Sequence, residues 1–146
     1  MHNYKNKYLK YKLKYLKLKI SRMTWGHIHI MDLNEPWFSL VRDGHKTIEG
    51  RIYDDKRRRL NVDEQIEFTN KENNKKSFTK IIKRLEIWDN RNSEKKIEFK
   101  DVINEDNFKK LIPTAKNKEE AIQVYNNIPK YNEKSIKDGI IFIYLE

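Results

Sequence analysis

The stretch GIIFIYLE, residues 139–146, most restricts what this chain can fold into. Charged residues make up 37% of the sequence, yet this run has none before its final glutamate. An unbroken apolar run of this length, rich in isoleucine and aromatic residues, reads as a buried strand. Its backbone groups need partner strands and its side chains need covering layers, so the rest of the chain must supply both.

Earlier segments supply them. TWGHIHIM (24–31) alternates Ile28 and Ile30 against His27 and His29, the period of a strand. Asn34, ahead of Glu35 and Pro36, is placed to cap a short helix that stops at Gly44. KTIEGRIY (46–53) reads as a strand with Ile48 and Ile52 on one face and Thr47, Glu49, Arg51 and Tyr53 on the other. EQIEFTN (64–70), the turn KENNKK and SFTKIIKRLEIW (77–88) form two further strands. Residues 97–128 read as helix in two pieces around Pro113, the second capped by Asn117 with Glu120 at the capping-box position. The order predicts an α+β domain, a small mixed or closed sheet flanked by short helices, over residues 23–146.

Residues 1–22 stand apart as a lysine-rich, repetitive N-terminal tail. YKNKYLK and YKLKYLK repeat in tandem, and the first 20 residues hold seven lysines (5, 7, 10, 12, 14, 17 and 19) and no acid. The net charge is +10, so residues 21–146 carry only three of those charges. On a helix the tyrosines and leucines fall on opposite sides with lysines between them, so the tail is a low-complexity extension or an electrostatic anchor for RNA or an anionic surface. There is no cysteine, hence no disulfide and no thiolate metal site. No apolar run approaches the roughly 18 residues of a membrane span, and no secretory leader is visible. A soluble, intracellular and cytoplasmic protein is expected.

Chemistry concentrates in residues 44–60, GHKTIEGRIYDDKRRRL. Glu49 and Arg51 share a strand face about 7 Å apart, with Lys46 just before them. Gly50 between them marks a bulge or a close approach by another group. Glu49 and Arg51 form either a surface ion pair of small consequence or, with Lys46, a pocket able to read a base edge and hold a phosphate. Lys56, Arg57, Arg58 and Arg59 are either a solvated turn screened by Asp54 and Asp55 or a set of phosphate contacts. His27, His29 and His45 lack a companion ligand motif, so no metal and no cofactor is expected. Trp25 and Trp88 read as core, and Trp37 as a possible stacking platform beside the pocket. There is no phosphate loop, dinucleotide fingerprint or nucleophile elbow.

The stretch from His27 to Asn70 resembles the ASCH domain (ASC-1 homology) family, whose β-barrel is related to the PUA RNA-binding domain. Gly44, Lys46, Thr47, Ile48, Glu49, Arg51, Asp54 and Lys56 to Arg58 fit its pattern, and the terminal strand is similar to the family's closing strand. Asp63-Glu64 stands where the family has glycine-aspartate, and Asp138 where it has tyrosine. The resemblance implies a PUA-like barrel that binds RNA, single-stranded or structured, or a modified nucleoside. The implied binding residues are Lys46, Thr47, Glu49, Arg51, Tyr53, Lys56, Arg57, Arg58 and Arg59. The alternative it implies is a hydrolase acting on RNA or a nucleoside, with Lys46 and Glu49 as catalytic candidates. Some small members are N4-acetylcytidine amidohydrolases that use a lysine and a threonine three residues on; here the second position is Glu49. The lysine- and asparagine-rich composition is also similar to that of proteins from large DNA viruses.

If the tail supplies non-specific affinity through counterion release, deleting residues 1–22 flattens the slope of log K against log salt for RNA. Titrations at several salt concentrations check this; an unchanged slope removes the tail from binding.

Overall fold

The structure is a computed structural model that describes residues 4–24 and 28–146. Five strands form one sheet: β1 (Ile28–Leu33), β2 (Ile48–Ile52), β3 (Gln65–Asn70), β4 (Ser77–Asp89) and β5 (Gly139–Leu145), in the order β1-β3-β4-β5-β2. β1 and β3 are parallel and the other pairs antiparallel. The α-helices among the described residues are α1 (Tyr4–Thr24), α2 (Trp37–Arg42), α3 (Phe99–Val102), α4 (Phe108–Leu111), α5 (Lys118–Asn126) and α6 (Tyr131–Asp138). None of them is long and apolar enough to cross a membrane.

β4 is the spine. Its first residues pair with β3 and its later ones with β5, with a register shift between Ile82 and Arg84. Such an irregularity bends and twists a strand, and it curls this sheet into a half-barrel. β5 explains the apolar run. Ile140 and Phe142 pack with Ile48, Ile52, Phe99 and Leu111 under the helices. Ile141, Ile143 and Leu145 pack with Met31, Phe38, Ile66 and Phe68 on the opposite face. A strand covered on both faces has no solvent side on which to place a charge.

Several sequence expectations need correction. In β1 the buried side chains are Met31 and Leu33, whereas Ile28 and Ile30 face outward. β1 is an edge strand, and burial there follows the face that curls inward, not hydrophobicity alone. Asn34 makes no side-chain cap: Pro36 holds the N-cap position of α2, and the Asn34 carbonyl accepts from the Phe38 N–H at 3.0 Å. The first helical piece of 97–128 is two single turns, α3 and α4. Asn104 and Asn107 interrupt it by bonding each other's backbone N–H groups, and the Asn107 amide donates to the Val102 carbonyl. Asn117 does cap α5, accepting from the Glu120 N–H at 2.9 Å. The N-terminal repeat is helical as α1, with residues 6–16 exposed. Asp63, which stands where the resembling pattern has glycine, takes a left-handed φ of 73°.

Gly139 starts β5 at φ +108°, and a Cβ there would lie 2.1 Å from the Trp88 carbonyl oxygen. Gly44, at φ +79°, has no heavy atom within 4 Å of that position. Gly139→Ala is therefore expected to cost more than about 3 kcal/mol or to prevent folding, and Gly44→Ala about 1–2 kcal/mol. Urea unfolding of the two variants compares them; equal losses contradict this account of β5.

Candidate functional site

The curl brings the two edge strands, β1 and β2, towards each other. The Thr47 carbonyl accepts from the Leu145 N–H and the Tyr53 N–H donates to the Gly139 carbonyl. By the alternation of an antiparallel ladder, Ile48, Gly50 and Ile52 turn their own backbone groups to the open edge. Lys46 covers part of that edge: its Nζ donates to the Ile48 carbonyl at 2.8 Å and to the Leu111 carbonyl of α4. Arg51 reaches across the gap, donating from Nη2 to the Asp32 carbonyl of β1 at 2.8 Å and from Nε to Glu49 Oε1 at 3.2 Å.

A cavity of about 270 Å³ lies at this seam, lined among others by Trp37, Lys46, Glu49, Arg51, Tyr125 and Tyr131. The Glu49 and Arg51 side chains are 7% and 13% exposed, which excludes the exposed surface pair considered from the sequence, and Lys46 is 3% exposed. Lys46 Nζ lies 3.9 Å from Glu49 Oε2. Burial pushes the Lys46 pKa down, with Glu49 opposing the shift and Arg51 adding to it. Gly50 marks a close approach, as its place in the sequence suggests: a Cβ there would lie 2.7 Å from the Tyr125 hydroxyl. The β2–β5 register runs through Gly50 without a bulge. Burial also raises the Tyr125 phenol well above its ordinary pKa and raises that of Tyr131.

A second hollow of about 480 Å³ adjoins the first and shares Arg51 and Tyr131 with it. Arg57, Lys134 and Lys137 give it basic walls, with Asp54 and Asp138 beside them. The basic turn, a 3₁₀ turn over Arg57–Arg59, therefore divides. Arg57 faces this hollow but is paired with Asp54 at 2.7 Å. Arg58 points elsewhere. It grips Asp89 at 2.7 and 2.8 Å, donates to the Asp138 carbonyl at 3.0 Å, and lies 4.1 Å from the centre of the Tyr53 ring. Lys56 and Arg59 are exposed. Thr47 lies outside both hollows, its backbone tied to Leu145 and Lys110.

Of the residues singled out in the sequence, Lys46, Glu49 and Arg51 come together, with Trp37 as one wall. Tyr125, Tyr131, Lys134 and Lys137 were not foreseen. α6 carries three of them in a short, polar segment of 8 residues, and the one local hint was Gly50, which requires something close against it. His29 hydrogen-bonds Glu64 at 3.3 Å. His27 lies outside the described residues, and among those described no three potential ligand side chains converge on a metal site.

A five-stranded curled half-barrel with short helices is a PUA-like arrangement. The ASCH domain family model matches residues 31–134, and the chain belongs to that family. Two solved structures are similar to it. The crystal structure of the hypothetical protein PH0355 has a TM-score of 0.61 at 28% identity, covering 82% of this chain and 97% of its own. The solution structure of protein PF0455 from Pyrococcus furiosus has a TM-score of 0.55 at 27% identity, covering 82% of this chain and 96% of its own. No curated protein matches the chain at a significant level.

The Arg58 grip lowers the Asp89 pKa from 3.8 to about 2. A depressed carboxyl contributes stability that is present above the unfolded value and lost as pH falls through the folded one. The expected loss thus falls between pH 3.8 and about 2, and it is modest, about 1 kcal/mol, because the pair is partly exposed. Arg58→Ala is expected to return the Asp89 titration towards its ordinary range, as read by NMR of the carboxyl carbon. An unmoved midpoint contradicts the pairing.

Proposed function

We propose that this ASCH domain binds RNA by taking one unpaired or modified base into the seam cavity while the phosphate backbone follows the basic hollow beside it. The observation that carries this reading is the buried Lys46–Glu49–Arg51 group facing aromatic walls from Trp37 and Tyr131. A cavity of about 270 Å³ sits just below the usual range of small-molecule sites, a size that suits a single base. Polar groups that set orientation between apolar walls are what base readout needs. Arg51, Arg57, Lys134 and Lys137 supply the phosphate contacts, and the α1 repeat adds sequence-independent attraction. Arg58, held by Asp89, makes none.

One observation favours a second reading. Burial lowers the Lys46 pKa beside a carboxylate, the condition under which a lysine works as a base or nucleophile. A hydrolase of this kind would cleave the amide of N4-acetylcytidine with water, releasing acetate and cytidine. Glu49 occupies the position that carries a threonine in the amidohydrolase members, which favours binding over turnover.

Titration of the protein with short single-stranded RNA, duplex RNA and nucleotides tests the proposal. Arg51→Ala is expected to weaken single-strand binding by roughly 1–3 kcal/mol, and Trp37→Ala by a similar amount, about 1–3 kcal/mol. Arg58→Ala should leave binding unchanged while lowering thermal stability. Arg51 also bridges the sheet, so unfolding curves accompany each titration. Folded Arg51 and Trp37 variants that bind like the wild type overturn the proposal, and release of cytidine from N4-acetylcytidine replaces it with the hydrolase.

A further inference from the structure

Two polar groups in the seam cavity keep unused capacity. Glu49 Oε2 is buried and makes no hydrogen bond, and the buried Tyr125 hydroxyl, its oxygen against the Gly50 backbone, donates to no protein group. The other carboxylate oxygen, Oε1, accepts from Arg51 Nε at 3.2 Å. An ionised carboxylate has about four acceptor positions, so Glu49 keeps most of its capacity. Lys46 has one ammonium proton left after those given to Ile48 and Leu111. At 3.9 Å, Glu49 Oε2 is too far to take it in a sound hydrogen bond. The inner end of the cavity therefore presents a strong acceptor beside two donors, the Lys46 ammonium and the Tyr125 hydroxyl. A buried acceptor of this kind calls for an N–H from whatever fills the space.

On the reading that the cavity takes a base, we propose that the base enters with its Watson–Crick edge first. One N–H of that edge donates to Glu49, and the adjacent ring nitrogen or carbonyl accepts from Lys46 or Tyr125. Each of the four common bases carries such a neighbouring donor and acceptor, so the site selects an unpaired base with an intact edge. Duplex RNA, whose edges already pair, is excluded. So is a base whose edge donor has been replaced by methyl groups. The sugar then lies at the mouth, beside Arg51 and Tyr131, where the cavity opens to the basic hollow.

The test uses the full chain and two matched ligand pairs: uridine monophosphate with its N3-methyl derivative, and adenosine monophosphate with its N6,N6-dimethyl derivative. The methylated member of each pair is expected to bind about ten- to a hundredfold more weakly, the loss of a hydrogen bond to a charged group. Glu49→Gln, nearly isosteric, should weaken the unmodified ligands and shrink that ratio. Tyr125→Phe should weaken unmodified ligands severalfold without restoring the methylated ones. Equal affinity of both members for the wild type overturns the edge-first orientation while leaving base binding intact, provided binding still depends on Trp37 and Arg51. A ratio unchanged in Glu49→Gln removes Glu49 from the readout. If none of the four nucleotides binds, base capture fails and this inference falls with it.

Discussion

The Arg51 guanidinium links two edge strands that no backbone ladder joins. A sheet ordered β1-β3-β4-β5-β2 has open edges at β1 and β2, and the curl along β4 brings them near each other. Full ladder pairing there would close the barrel and satisfy every backbone group. Instead Arg51 bonds the Asp32 carbonyl and Lys46 bonds the Ile48 carbonyl, so side chains take over part of the seam. A seam held by side chains leaves space that a ladder would fill, and the cavity is that space.

Stability gives a poor account of this choice. Buried charged groups are no better for stability than well-packed apolar residues of similar volume, because desolvation offsets their attraction. Lys46 and Glu49 are both nearly inaccessible, and their separation is too long for a hydrogen bond. Glu49 Oε2 is left without a hydrogen bond, and the Tyr125 hydroxyl beside it donates to no protein group. Elsewhere the chain meets such needs closely: Asn90 uses its amide on the Ile97 and Ser135 carbonyls and its oxygen on the Ile97 N–H. Two such atoms gathered in one cavity are the observation on which the proposed binding role rests.

Much of the fold was legible because strand signals are local. The run 139–146, the alternation in 64–70 and the length of 77–88 each place a strand within a residue or two of the one observed. The phase of β1 was not legible, since Ile28 and Ile30 lie outward only because of how an edge strand meets the curl. The site was half legible. Lys46, Glu49 and Arg51 lie within six residues of one another, so spacing alone groups them. Tyr125 and Tyr131 reach them only through the packing of α5 and α6 on β2, which no local pattern encodes. The basic turn misled for the same reason: Arg58 looks free until Asp89, 31 residues away, is placed against it.

That pairing changes what the net charge of +10 means. Arg57 and Arg58 are held by Asp54 and Asp89, and Arg91 by Asp55 and Asp138, so half of the turn that looks most basic is neutralised within the fold. Positive charge open to solvent includes α1, Lys134 and Lys137 beside the hollow, and the other half of the turn, Lys56 and Arg59. Exposed lysines attract any polyanion and distinguish little between sequences. The seam cavity keeps a small net positive charge, Lys46, Arg51 and Lys71 against Glu49 and Asp32, and its donors and acceptors are fixed in direction. On the proposed reading, affinity and discrimination rest on different parts of the chain. A ligand held by charge alone would be released by salt, whereas one whose base reaches Glu49 would keep a salt-insensitive share of its binding.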